Sequence, residues 1–335
     1  MKPVIFGVSG PQLTDDESAF FKEANPLGYI LFKRNCVDRV QMRALTDSIR
    51  ELTGRDDVPI LIDQEGGRVA RMVGPVWPEF PAGASFNALY EKAPISAIEA
   101  ARANYHALGL MLHEVGVNVD CAPLLDVVQP EVTKAIGDRA FGREPMQVAA
   151  LGRAAVEGLR RGGVVGVVKH MPGHGRALVD SHLELPRVTA DAAALETDIE
   201  PFRSNNDAPM AMTCHVVFDA WDAERPATLS PTVISQIIRG RIGFDGLLMT
   251  DDIDMKALTG TAGEKATQAL AAGCDVVLDC WARMDEMVEI AGLIGDATPE
   301  CVKRLNRAMA TVAAGPDPAE FHRLIAQREE LLALA

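Results

Sequence analysis

Residues 164–182 read VVGVVKHMPGHGRALVDSH. An unbroken apolar run, 164–168, stops at Lys169 and gives way to a histidine-rich segment punctuated by Pro172, Gly173 and Gly175. A short apolar run without alternation is the pattern of a strand buried on both faces of a parallel sheet. The polar segment behind it reads as the loop that such a strand delivers into a site. The segment ends on Asp180-Ser181-His182. A carboxylate two residues from an imidazole can hold that imidazole and raise its basicity, so Asp180 and His182 read as a general acid/base dyad.

Similar apolar runs recur at 4–8, 28–32, 59–62, 117–121, 210–214, 246–249 and 275–278, which with 164–168 makes eight candidate strands. Amphipathic helical patterns lie between them at 38–52, 97–115, 147–161, 190–202, 231–241 and 263–272, with Asp38 placed to cap the first. Eight strand-then-helix units predict a single-domain (β/α)8 barrel spanning 1–335. A doubly wound open sheet has the same alternation. However, no G-x-G-x-x-G follows the first strand, and polar residues cluster after many strands rather than at one switch point. The stretch between Ile62 and Val117 is longer than one helix needs and carries Pro75, Trp77, Pro78, Phe80 and Pro81, so it is read as an elaborated loop. The segments 299–314 and 318–334 are expected to be terminal helices packed on the outside of the barrel.

The chain has 335 residues, 48% of them hydrophobic, and a net charge of −14. Such an acidic chain is a poor bulk partner for nucleic acid or an anionic membrane. The N-terminal MKPVIFGVSG has too short an apolar run for a signal peptide, and no window approaches the length of a membrane span. A cytoplasmic, monomeric enzyme is expected, without nucleic-acid or membrane partners. The six cysteines show no metal-ligand spacing and read as reduced, mostly buried thiols.

In a barrel of this kind the chemistry sits at the C-terminal strand ends. Those ends carry Asp63-Gln64-Glu65-Gly66-Gly67-Arg68 and Arg71, then Pro123 and Asp126, then Gly137-Asp138-Arg139, then Lys169 and His170. His215 follows the sixth strand, Thr250, Asp251, Asp252 and Asp254 the seventh, and Asp279 and Cys280 the eighth. Each acid or base alone has an ordinary reading as a solvated loop residue, and Asp251-Asp252 can also be a helix N-cap pair. His170, His174 and His182 suggest zinc, but Pro172 and the glycines oppose the helix that would bring them onto one face, so no metal is expected. Lys169 has a second reading as a Schiff-base lysine. His106 and His113 fall in a helical pattern and read as packing or surface histidines.

Four segments carry a resemblance: LIDQEGGRVAR (61–71), IGDRAFG (136–142), KHMPGHGRALVDSH (169–182) and GFDGLLMTDDIDM (243–255), with PATLSP (226–231) in support. In order and spacing the chain resembles the family-3 glycoside hydrolases, in particular the bacterial single-domain β-N-acetylglucosaminidases. The resemblance implies that Asp251 is the catalytic nucleophile, His182 the general acid/base and Asp180 its orienting partner. It implies that Asp63, Arg71, Arg139, Lys169 and His170 grip N-acetylglucosamine in the −1 subsite, with no cofactor. It further implies a retaining exo-enzyme of peptidoglycan recycling, acting on N-acetylglucosamine linked to 1,6-anhydro-N-acetylmuramic acid, with or without peptide. Many relatives read PGHGDT where this chain reads PGHGRA, which resembles the Gram-negative subtype and leaves the contacts of that loop open. Other family-3 activities, a β-glucosidase or a glycosyl phosphorylase, remain alternatives, as does a sugar-binding barrel without turnover. The acidic pair Asp251-Asp252 also permits a substrate-assisted route, although Asp252 is expected to point to the other side of the strand end.

Overall fold

In the computed structural model, which describes residues 1–129, 135–181, 183–312 and 315–335, eight parallel strands close into a barrel in sequential order. They are β1 (Lys2–Gly7), β2 (Pro26–Leu31), β3 (Ile60–Ile62), β4 (Val119–Asp120), β5 (Val165–Met171), β6 (Met210–Thr213), β7 (Leu247–Asp252) and β8 (Val276–Asp279). β8 pairs with β1, Val277 beside Val4, and this closes the ring. The predicted barrel is therefore the observed fold, and the open-sheet alternative is excluded.

Strand alternation explains both the core and the site. Leu61, Val165, Val167, Leu247, Met249, Val276 and Leu278 form one buried cluster that fills the barrel. Successive side chains of a strand alternate in direction, so the next residues of the same parity are Asp63, Lys169, Asp251 and Cys280. All four line one cavity at the strands' C-terminal ends. Asp63, Lys169 and Asp251 are thus part of the topmost interior layer of the barrel, made polar. β5 runs three residues further than the apolar run indicated, because Lys169 and His170 are strand residues with polar side chains.

Helices form the outer layer. α2 (Arg39–Thr53) starts at Asp38, whose carboxylate accepts the Gln41 N–H at 2.8 Å, a cap that stabilises a helix by about 1 kcal/mol. α4 (Pro94–Glu114) and α5 (Pro145–Arg161) follow the predicted patterns closely. Three helices went unread in the sequence: α1 (Asp15–Ala24), α3 (Gly83–Tyr90) and α8 (Met284–Leu293). Residues 233–242 wind as a π-helix, α6 spans Glu196–Arg203 and α7 Ala262–Ala272. Arg187–Val188, Val217–Phe218 and Asp222–Pro226 form a small sheet beside the barrel. The last two helices pack in different places. On α9 (Pro299–Met309), Cys301, Leu305 and Ala308 join the barrel's interior cluster, whereas α10 (Phe321–Leu332) lies on α4, with Arg328 donating to Asn104 at 3.1 Å. Five cysteines are buried, Cys36 is half-buried, and all are unpaired thiols. Among the described residues no helix is long and apolar enough to cross a membrane.

Candidate active site

The cavity has a volume of about 640 Å³ and opens at the C-terminal face of the barrel. Its floor is a chain of charges. Lys169 donates to Asp63 at 3.0 Å and lies 2.7 Å from Glu65. Arg71 donates to the other oxygen of Asp63 at 3.0 Å. Arg139 binds Glu65 with both arms of its guanidinium, at 2.7 and 2.8 Å. Burial alone would push the two carboxyls up, yet the cations outweigh it and hold Asp63 and Glu65 below the usual carboxylate range. Burial likewise works against the charge on Lys169, but Asp63 and Glu65 raise its pKa instead. A lysine held as ammonium is the opposite of what Schiff-base chemistry needs, so the aldolase reading of Lys169 falls.

The two loops that supply the arginines are pinned by packing. Gln64 accepts the N–H groups of Arg71 (2.8 Å) and Met72 (3.0 Å) and donates to the Met72 carbonyl (3.0 Å), folding residues 64–72 into a closed turn. Gly66 has φ +99°, and a Cβ there would stand 2.4 Å from the Pro81 carbonyl, so the turn admits no side chain. Arg139 is followed two residues on by Phe141, which packs edge-on against Phe86 and Tyr105 with ring centroids 6.2 Å apart in both pairs.

Asp251 lies at the end of β7, half-buried, and accepts the Asp252 N–H at 2.8 Å. Burial raises its carboxyl; the imidazoles of His170 and His215, that N–H and Lys169 together pull it below the ordinary value. Asp252 behaves oppositely, pushed up to about 6, chiefly by burial and further by the charges of Asp251 and Asp254. Neighbouring carboxyls whose environments drive them apart divide naturally into an anion and an acid. Asp252 does not turn away from the cavity as expected but lines it too. A shift of register between Met249 and Asp252 in the β7–β8 pairing breaks the alternation there. The helix N-cap reading of the pair falls, because both residues belong to the strand.

His170 lines the cavity with Nδ1 2.7 Å from the Asp126 carboxylate, and Asp126 also accepts the backbone N–H of His174 at 2.7 Å. Asp126 therefore fixes the ring of His170 and the entry of the Gly-rich loop together. His174 is buried and pushed down to about 4, by burial and by His170, so it is neutral near pH 7. His215 sits under β7, with Nε2 2.9 Å from the Asp252 carbonyl and Nδ1 2.8 Å from Thr228 Oγ1. This gives the PATLSP segment its place: it braces His215. Among the described residues no three His, Cys, Asp or Glu side chains converge as a metal-ligand set.

Beyond His170 the loop runs over the cavity, and Asp180 and Ser181 line it. Arg176, the departure from PGHGDT, donates to Asp198 at 2.6 Å and to the Ala194 carbonyl at 3.1 Å, tying the loop to the start of α6. His182 lies outside the described residues. The structure thus brings Asp63, Arg71, Arg139, Lys169, His170, Asp180 and Asp251 to one cavity. Reading by sequence passed over Glu65, which anchors both Lys169 and Arg139, and Asp126, which orients His170. Both stood among the strand-end acids, but their roles depend on partners distant in sequence and visible only in three dimensions: Arg139, 74 residues from Glu65, with Lys169 beyond it, and His170, 44 residues from Asp126.

Comparison with known proteins gives the family. Residues 7–314 match the glycosyl hydrolase family 3 N-terminal domain. A beta-hexosaminidase of Bordetella avium is 36% identical over 322 residues, covering 94% of this chain and 90% of that protein. One of Alkalilimnicola ehrlichii is 40% identical over 287 residues, covering 83% and 80%. The crystal structure of native NagZ from Neisseria gonorrhoeae matches with a TM-score of 0.89 at 31% identity, covering 100% of this chain and 98% of that one. A second structure of that protein, in complex with N-trifluoroacetyl-D-glucosamine, matches equally well. The chain belongs to glycosyl hydrolase family 3. Within that family it is a glycoside hydrolase of the beta-hexosaminidase type.

Proposed function

We propose that the chain is a retaining exo-β-N-acetylglucosaminidase that removes the non-reducing terminal N-acetylglucosamine from muropeptides. The substrate would be N-acetylglucosamine linked to 1,6-anhydro-N-acetylmuramic acid, with or without peptide, processed in the cytoplasm during cell-wall recycling by a monomeric enzyme. The observation that carries this reading is the cavity itself: Asp251, an ionised carboxylate with no ion pair among the described residues, faces a floor in which Asp63 and Glu65 are paired with Lys169, Arg71 and Arg139. In this scheme Asp251 attacks the anomeric carbon and forms a covalent glycosyl-enzyme. His182, oriented by Asp180, first protonates the leaving oxygen and then activates water. Retaining glycosidases usually place two carboxyl groups about 5–5.5 Å apart, and an imidazole in place of one spares Asp251 a like charge. An imidazole pKa near ~6.5 serves both proton transfers.

The floor supports sugar binding because its groups are already ionised and oriented. Arginine and lysine can donate to hydroxyl and acetamido oxygens, and Asp63 can accept from hydroxyls. Paired polar contacts of this kind discriminate strongly against sugars that lack the groups. The test is hydrolysis of p-nitrophenyl β-N-acetylglucosaminide against the corresponding glucoside, with and without phosphate. Strong preference for the N-acetylglucosaminide and no dependence on phosphate support the proposal. Preference for the glucoside, or phosphorolysis, sinks it, and ligand binding without turnover would make the chain a sugar-binding barrel.

A further inference from the structure

The floor of the cavity accounts for one sugar ring, but the cavity is larger than that ring requires. Ligand pockets span roughly 300–1,000 Å³ for drug-sized molecules. At about 640 Å³ this one has room beyond a single hexosamine. Its outer part contains Trp281, two residues after β8, with 57% of its surface exposed.

Trp281 is the one aromatic among the large exposed apolar residues described. The other two tryptophans have packing roles: Trp77 is buried in the core, and Trp221 lies against Phe218 with ring centroids 5.1 Å apart. Phe32 also lines the cavity, but the guanidinium groups of Arg34 and Arg71 lie over its ring at 4.8 and 5.2 Å. Among the described residues nothing stacks on Trp281.

The turn that presents Trp281 is held on both sides. Arg34 donates to the Cys280 carbonyl at 2.5 Å. Ala282 takes φ +57°, a left-handed conformation unfavourable for a residue with a Cβ. Arg283 then pairs with Asp254 at 2.5 Å and with Glu286 at 2.6 Å, tying the turn to the segment after β7. A large apolar ring is thus kept in water, at the mouth of a sugar-sized cavity, by a backbone conformation that its neighbours must sustain.

We infer that Trp281 is the platform of an aglycone subsite, on which the ring of a leaving-group sugar stacks while the terminal hexosamine occupies the charged floor. The negative face of an indole suits the polarised C–H face of a pyranose, and burying that face removes apolar surface of both partners from water. The inference rests on the proposed glycosidase reading.

The experiment compares two substrates that share the terminal sugar. N,N′-diacetylchitobiose releases N-acetylglucosamine as its leaving group, whereas N-acetylglucosaminyl β-fluoride releases fluoride, which has no ring to stack. In Trp281→Ala, kcat/KM for the disaccharide should fall about tenfold, mostly through KM, with the fluoride changed less than about twofold. Trp281→Phe should recover part of the loss, and it reads the same ratio if the alanine variant folds poorly. Equal losses on both substrates, or no loss on either, overturn the inference while leaving the glycosidase reading intact. A wild-type chain that cleaves neither substrate overturns that reading and this inference with it.

Discussion

The floor of the cavity and the loop above it are built on different principles. The floor residues Asp63, Lys169 and Asp251 continue the parity of apolar strand residues below them, and Asp63 is paired with both Lys169 and Arg71 at 3.0 Å. The loop after β5 has no such lattice. Leu178 and Leu183 are 64% and 68% exposed, and the loop is tied down through Asp126 to the His174 backbone and through Arg176 to Asp198. The proposed binding groups are therefore fixed by the barrel, while Asp180 sits on a loop that seats Ala177 in the core but leaves Leu178 in water. Closure over the substrate can complete such a site.

The sharpest division should appear at Asp251. Asp251→Asn should lower kcat on the order of 10⁴-fold with the fold intact. A 5-fluoro N-acetylglucosaminyl fluoride should label Asp251 covalently in the wild type, read by intact mass and peptide mapping. Label on Asp252, or none when turnover is slowed, would favour attack by the substrate's own acetamido group instead.

Next in size, the floor can be split by its two arginines. Arg71→Ala and Arg139→Ala should each lower kcat/KM on the order of 10²–10⁴-fold, roughly 3–5 kcal/mol of lost charge-assisted contact. They should differ in stability. Removing Arg139 strips the buried Glu65 of its bidentate partner and should cost about 3 kcal/mol, seen in a denaturant melt. Both carboxylates keep Lys169, but Arg71 is more exposed and gives Asp63 a single hydrogen bond, so its loss should cost less than about 1 kcal/mol. Equal melts for the two variants would show that the floor is not the paired lattice described.

The loop should be the more conditional partner. His182→Ala should slow poor leaving groups on the order of 10²-fold or more, and activated aryl glycosides much less, because a good leaving group needs little protonation. Asp180→Asn should cause a smaller loss and move the alkaline limb of the kcat/KM profile to lower pH, since an imidazolium without its counter-charge deprotonates more easily. The acid limb should not respond to that change, because Asp251 is held below the ordinary carboxylate value and stays ionised through mildly acidic pH. An acid limb near pH 6 that disappears in Asp252→Asn would instead assign that limb to Asp252, whose carboxyl is pushed up to about 6. Equal loss across leaving groups for His182→Ala would remove it as the proton donor.

The barrel was legible because strands buried on both faces leave dense apolar runs, and the site because strand ends gather polar residues. What stayed hidden has physical causes. The end of β5 was read too early because Lys169 and His170 occupy strand positions with side chains that ordinarily mark a loop. α1 carried a readable Thr14-x-x-Glu17 capping box, which the structure forms in full, but its ten residues were too few to stand out by periodicity. Two of the three strands of the small lateral sheet have two residues each, below any pattern length, and the third, Asp222–Pro226, is mostly charged and exposed. Glu65 and Asp126 looked like solvated acids because their partners come from other strands. Asp252 was misplaced because alternation was extended through a bulge.

The paired floor has one more consequence. Counted with Asp251, its three anions face the three cations Lys169, Arg71 and Arg139, so the binding surface is electrically balanced inside a chain of net charge −14. Such a surface acts as a solvent whose dipoles were oriented when the chain folded: it can meet an uncharged sugar without recruiting counter-ions from the buffer. Added salt screens charges at the surface far more than pairs buried among neighbours. The proposed grip on a terminal sugar should therefore be insulated from the ionic composition of its surroundings, even though the molecule that carries it is strongly acidic.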